Sequence, residues 1–346
     1  MNASGIPESL RSACAEALDR WPEARAAVLF GSRARGEACR HSDWDIAFIT
    51  NTDQDATQYG LPNEVEDALS ATGLHVQLLA LSHQALADCA LCLGRVARPI
   101  ARDGILLAGD WSRPSIEGEI IVEAEKYAVL MENCATELQF ASLGLNRIKG
   151  DRIGISKHIN ACNGFIKRSA DASEYAAKAV LHRLGVDYDF THDLAKLGDA
   201  AKASGHEGVG EAIKAMNGIS KADHTRQYDG YDLSAWVCRN ATARLRNLAS
   251  FLVEEVASGA MWKMLEQAGR TPILDDLEEA LEAVSSACAS VDAIQPDRDD
   301  PPSRIAAYHA LREGWADLPE IFDEASSRLV DWRAERDGAP ATRIPP

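Results

Sequence analysis

Long apolar runs are missing from this 346-residue chain. That excludes a membrane-spanning helix, which needs about 20 consecutive apolar residues. The opening MNASGIPESLRSACAEALDRW lacks the basic start and apolar core of a secretory leader, so a cytoplasmic location is expected. Basic residues are also short: 36 Lys and Arg stand against 53 Asp and Glu, a net charge of −17. By segment the net charge is −6 over residues 1–112, −2 over 113–258 and −9 over 259–346, so no part is basic overall. Long nucleic acids are bound by neutralising phosphates with Lys and Arg, and this balance disfavours them as partners. Paired cysteines are scarce as well. Most of the eight stand singly in helix-like runs, and the lone CxxC, Cys89 and Cys92, has no second ligand pair nearby. That disfavours a structural zinc or redox role and leaves the cysteines chiefly as small hydrophobes.

What remains is ordinary globular composition, 46% apolar and 26% charged, in a chain long enough for two or three cores. Residues 7–20 carry apolar positions at helical spacing after Pro7. AAVLF (26–30) reads as a buried strand broken at Gly31 and Ser32, with a helical turn to follow. DWDIAFIT (43–50) and LHVQLLAL (74–81) read as strands around an amphipathic helix, LPNEVEDALSATG. The stretch from Ser82 to Gly104 reads as helical with Ser82 as N-cap, and ILLAGD ends the unit. The order α–β–β–α–β–α predicts a small mixed-sheet α+β domain over 1–112. From Ser115 the texture becomes Ala-rich and helical. It predicts an all-α bundle over 113–258, with Thr191 capping one helix, then an acidic helical region over 259–337 and a disordered tail over 338–346.

The chemistry concentrates in FGSRARGEACRHSDWDIAFI, residues 30–49. Gly31 lets the backbone turn closely, and Ser32 offers a hydroxyl where a helical turn begins and free N–H groups favour phosphate. Arg33 and Arg35 add charge that suits a triphosphate. Asp43 and Asp45 are two apart on a strand, so both carboxylates leave the same sheet face. Hard carboxylate oxygens are what Mg²⁺ prefers, with phosphate oxygens completing its shell.

This segment resembles the minimal nucleotidyltransferase (MNT) branch of the nucleotidyltransferase superfamily. The family pattern is Gly-Ser-x-Ala-Arg-Gly, five variable residues, then Ser-Asp-x-Asp. The chain reads Gly31, Ser32, Arg33, Ala34, Arg35, Gly36, EACRH, Ser42, Asp43, Trp44, Asp45. The resemblance covers roughly 5–110. It implies Gly31, Ser32, Arg33 and Ser42 on the nucleotide, Asp43 and Asp45 on metal, and Arg35 beside the reacting phosphate. It departs at one place: family members carry a third acid on the next strand, where this chain has Gln77. His75 and His41 are the nearby substitutes, though a surface or packing role suits each better.

Residues 170–197, ADASEYAAKAVLHRLGVDYDFTHDLAKL, resemble the HEPN domain through Glu174, Ala177, Lys178, Gly185 and Thr191-His192-Asp193-Leu194. Arg226-Gln227-Tyr228 resembles that family's Arg-Tyr turn loosely. His192 is expected to brace its turn by a side-chain hydrogen bond. The Arg-x4–6-His spacing of HEPN nucleases occurs at Arg35/His41, Arg152/His158 and Arg304/His309, and none lies in the last bundle helix. The combined resemblance implies an enzyme moving NMP from ATP or another NTP, with Mg²⁺, to a hydroxyl. The acceptor is a protein side chain, as in MNT–HEPN toxin–antitoxin pairs, with Tyr228 and Tyr231 as conceivable self-targets, or a cationic small molecule. Oligomerisation through the helical domain fits this layout. The competing readings are a nucleotide-binding regulator impaired by Gln77, and a ribonuclease toxin with a fused MNT control domain.

Overall fold

A computed structural model of the chain describes residues 5–38, 42–51, 61–149, 155–189, 191–217, 235–289, 302, 309 and 318–336. It divides into two compact units, Met1–Val122 and Glu123–Pro346.

In the first unit, α1 (Glu8–Arg20) leads to β1 (Ala24–Phe30), the short α2 (Gly31–Arg35) and β2 (Trp44–Thr50). Then come α3 (Asn63–Ser70), β3 (Val76–Ser82), α4 (His83–Asp88), α5 (Ala97–Asp103) and β4 (Ile105–Gly109). The sheet order is β3-β2-β1-β4. β1 runs antiparallel to β2 and β4, while β2 and β3 are parallel and joined through α3. Both sheet faces are covered. Leu29, Ile46 and Phe48 pack with Leu10, Cys14, Val65 and Leu69 on one side, and Val28, Ile49, Leu86 and Ile100 pack on the other. Two-sided burial is why AAVLF and IAFI are continuous apolar runs. The two acids sit only at the start of β2, where the sheet meets solvent.

Three expectations change here. ILLAG is a fourth strand, antiparallel to β1, and its apolar run is too short for periodicity to separate strand from turn. The stretch after Ser82 is two helices, parted by the turn over 89–96 where Gly94 has φ of 69°. Ser82 caps the first as expected, its hydroxyl accepting from the Ala85 N–H at 3.0 Å. Residues 115–123 are not helical. Ile121 instead bridges to Cys92, its N–H donating to the Leu91 carbonyl at 3.0 Å.

The second unit is helical: α6 (Ala124–Lys149), α7 (Ile155–Arg183), α8 (Leu194–Ala203), α9 (Glu207–Ala215), α10 (Ala235–Ala257), α11 (Ala260–Gln267), α12 (Ile273–Ala289) and α13 (Leu318–Arg336). A buried polar network ties three helices. The Tyr127 hydroxyl donates to Glu255 at 3.0 Å, and Arg183 grips the same carboxylate at 2.7 and 2.8 Å. Burial pushes the Tyr127 hydroxyl well above its ordinary range, so it stays a donor. Arg244, 1% exposed, donates to the Met216 carbonyl at 2.9 Å and closes the end of α9 from α10. The C-terminal helices join this unit: Arg270 reaches Glu125 and Glu132 on α6 at 2.8 and 2.7 Å, and Arg333 on α13 reaches Glu278 on α12 at 2.6 Å.

The cap of α8 is a fourth correction. The Asp193 carboxylate accepts from the Ala195 N–H at 2.9 Å and is the N-cap. Thr191 instead accepts from the Asp193 N–H at 3.1 Å, shaping the turn before it. His41, Tyr228, Tyr231, Arg226, Gln227, Arg152, Arg304 and the 338–346 tail lie outside the described residues.

Candidate active site

Phe30, the last residue of β1, pairs with Asp45 of β2, so the turn that follows Phe30 begins beside that acid. Gly31 takes φ of +72°, a left-handed conformation that disfavours side chains. A β-carbon on Gly31 would collide with the Asp45 carboxylate, reaching its Cγ at 3.0 Å. The Asp45 side chain therefore lies directly against the 31–32 bend. Gly36 closes α2 in the left-handed region with φ of 74°, and the Glu37 N–H donates back to the Ser32 carbonyl at 2.9 Å.

Arg33 fixes the other side of this turn. Its Nε donates to the carbonyls of Ser42 and Asp43 at 3.1 and 3.0 Å, its terminal nitrogen to Ser42 at 2.5 Å, and its guanidinium lies 4.2 Å from the Trp44 ring centroid. Ser42 thus meets Arg33 through its carbonyl. Arg35, 12% exposed, lies 3.4 Å from Glu37 and 3.7 Å from Asp103.

Asp43 and Asp45 share a face and repel each other. Burial first, and then the Asp43 charge, push Asp45 up to about 6, against the pull of Arg35 and Arg33. A carboxylate held in this state is destabilised in the absence of a cation. Two such acids suit one divalent ion whose shell a triphosphate completes. Among the described residues no group of three or more His, Cys, Asp or Glu is arranged to hold a metal ion.

The parallel register explains why. Asp45 pairs with Gln77, and Trp44 with Val76, which sets Asp43 beside His75. The Asp43 Oδ1 and His75 Nδ1 are 2.5 Å apart. Asp43, Asp45, His75 and Gln77 therefore form a two-by-two array at one end of one sheet face. His75 is the residue that sequence reasoning underweighted. Its signal was the same two-residue step before Gln77 that separates Asp43 from Asp45.

In the helical unit, His192 Nδ1 lies 2.8 Å from Glu174, as expected of a brace, and Lys178 reaches the same carboxylate at 2.6 Å. Burial pushes the Glu174 carboxyl up, but His192 and Lys178 outweigh it and hold it below its ordinary range. The hydrogen bond to Glu174 raises His192. Cys92 is buried with its thiol 3.8 Å from the Asp88 carbonyl, and among the described residues no metal cluster includes it or Cys89.

A mixed four-stranded sheet with a Gly-Ser bend set against paired acids defines a nucleotidyltransferase-type domain. Residues 13–94 match the family described as Polymerase beta, Nucleotidyltransferase, and residues 160–256 match the HEPN domain. No curated protein and no solved structure matches the chain. The two matched domains stand in the order of the MNT–HEPN fusions that the sequence resembles.

Proposed function

We propose that the chain transfers NMP, with ATP as first candidate donor, to a hydroxyl on a protein or a cationic small molecule, as one component of a toxin–antitoxin-type MNT–HEPN system. The observation carrying this reading is the Asp45 carboxylate lodged against Gly31 with Asp43 on the same face. The acceptor oxygen bonds to the α-phosphorus, the bond from that phosphorus to the β-bridging oxygen breaks, pyrophosphate leaves, and the hydroxyl proton passes to water. Bound Mg²⁺ supplies charge neutralisation on the phosphates. Asp43 and Asp45 hold it. Gly31 and Ser32 cradle the β,γ-phosphates, Arg33 keeps the 42–43 turn in place, and Arg35 offsets charge near Asp45.

The test incubates the full chain with α-labelled ATP, Mg²⁺ and candidate acceptors, including the chain's own tyrosines. Pyrophosphate release that disappears in Asp43→Ala and in Asp45→Asn is the expected result. Release unchanged in both variants would sink the reading. A second reading is favoured by one observation: a neutral Gln77 stands opposite Asp45. It makes the domain a nucleotide-binding regulator, and ATP binding without turnover would support it.

A further inference from the structure

The array at the site is unequal, and its inequality sets how many cations it accepts. We infer that Asp43 and Asp45 hold a single divalent cation, and that the neutral amide of Gln77 in register with Asp45 excludes a second. This rests on the nucleotidyltransferase reading of the same site and deepens it.

Two ions about 3.5–4 Å apart need bridging carboxylates, because each oxygen pair must offset part of two like charges. This site has two carboxylates for that task. The position in register with Asp45 is an amide, which carries no charge and is a weak ligand for a hard ion. The position beside Asp43 is an imidazole whose Nδ1 lies 2.5 Å from Oδ1. That contact orients the Asp43 carboxylate and adds no ligand charge for a second ion. His75 is 83% exposed and Asp43 38%, so their contact faces solvent and leaves room for an incoming ion. Outer-sphere partners of this kind fix how a ligand carboxylate points. Among the described residues no third acid gathers with this pair, and the pair's two negative charges match one divalent ion.

The arrangement predicts slow transfer. The Gln77→Asp change should convert the site, because it restores a charged ligand at an exposed strand position where the fold tolerates it. His75→Ala should remove the contact that orients Asp43 without creating a ligand.

Mn²⁺ is the probe, counted by electron paramagnetic resonance on the full chain with α,β-methylene-ATP present. The expected result is one bound ion per chain in the natural sequence, two in Gln77→Asp, and still one in His75→Ala. Pyrophosphate release should rise about tenfold or more in Gln77→Asp. Two ions in the natural sequence overturn this inference and leave the transferase reading standing. One ion in Gln77→Asp, with circular dichroism unchanged, overturns the role given to Gln77. No bound ion in the natural sequence, with Asp43→Ala indistinguishable from it, overturns both readings together.

Discussion

At the residue scale, Gly31 and Asp45 are the two positions on which the site turns. Gly31→Ala combines a left-handed backbone that disfavours a β-carbon, about 1–2 kcal/mol, with a collision against the Asp45 carboxylate. It should lower the melting temperature by several degrees and abolish nucleotide binding, read by differential scanning fluorimetry with and without ATP and Mg²⁺. An unchanged melting temperature would mean the bend relaxes elsewhere. Asp45 gives a pH prediction. Its carboxyl is raised from 3.8 to about 6, so the folded state binds its proton more tightly than the unfolded chain does. This group therefore favours folding more as pH falls through about 6, and the gain is complete below about 3.8. Asp45→Asn should stabilise the metal-free protein at pH 7.5 by about 1 kcal/mol after solvent screening, measured by urea denaturation. In the natural protein, Mn²⁺ affinity should fall about tenfold per pH unit below about 6, because the proton and the ion compete for Asp45. Affinity flat from pH 7 to 5 would remove Asp45 from the ligand set.

At the element scale, caps and edges decide where the helices start and the sheet ends. Asp193 caps α8, so Asp193→Ala should cost about 1 kcal/mol, while Thr191→Ala, which touches only the preceding turn, should cost less. Chemical denaturation of the two variants ranks them, and the reverse order would restore Thr191 as the cap. The difference is also a lesson in legibility. Thr191 and Asp193 are both good capping types two residues apart, and sequence alone does not say which has the extended backbone a cap requires. The strands that matter for the site were legible because AAVLF and DWDIAFIT are bounded by Gly31 and by acids, which mark where burial stops. β4 was not, because a five-residue apolar run in a two-sided sheet has no period to detect. The Gln77 opposition to Asp45 followed from the family spacing, whereas the His75 contact depended on the parallel register of β2 and β3, which no local pattern encodes.

At the scale of the whole molecule, each unit has its own core and its own buried polar chemistry. The first has apolar packing on both faces of its sheet, and the second has the Tyr127–Glu255–Arg183 network across α6, α7 and α10. Residues 1–122 expressed alone should therefore fold, keep mixed α/β circular dichroism, and bind Mn²⁺ with a nucleotide analogue as the full chain does. An insoluble or metal-blind fragment would show that the first unit depends on the second. No described helix is long and apolar enough to cross a membrane.

The vacancy where Gly31 has no side chain is the volume that Asp45 fills, so a change at 31 is felt first at 45. Any larger residue at 31 would evict the acid at 45, whereas loss of the acid would still leave the glycine needed for its left-handed backbone. The dependence therefore runs one way, from the bend to the acid.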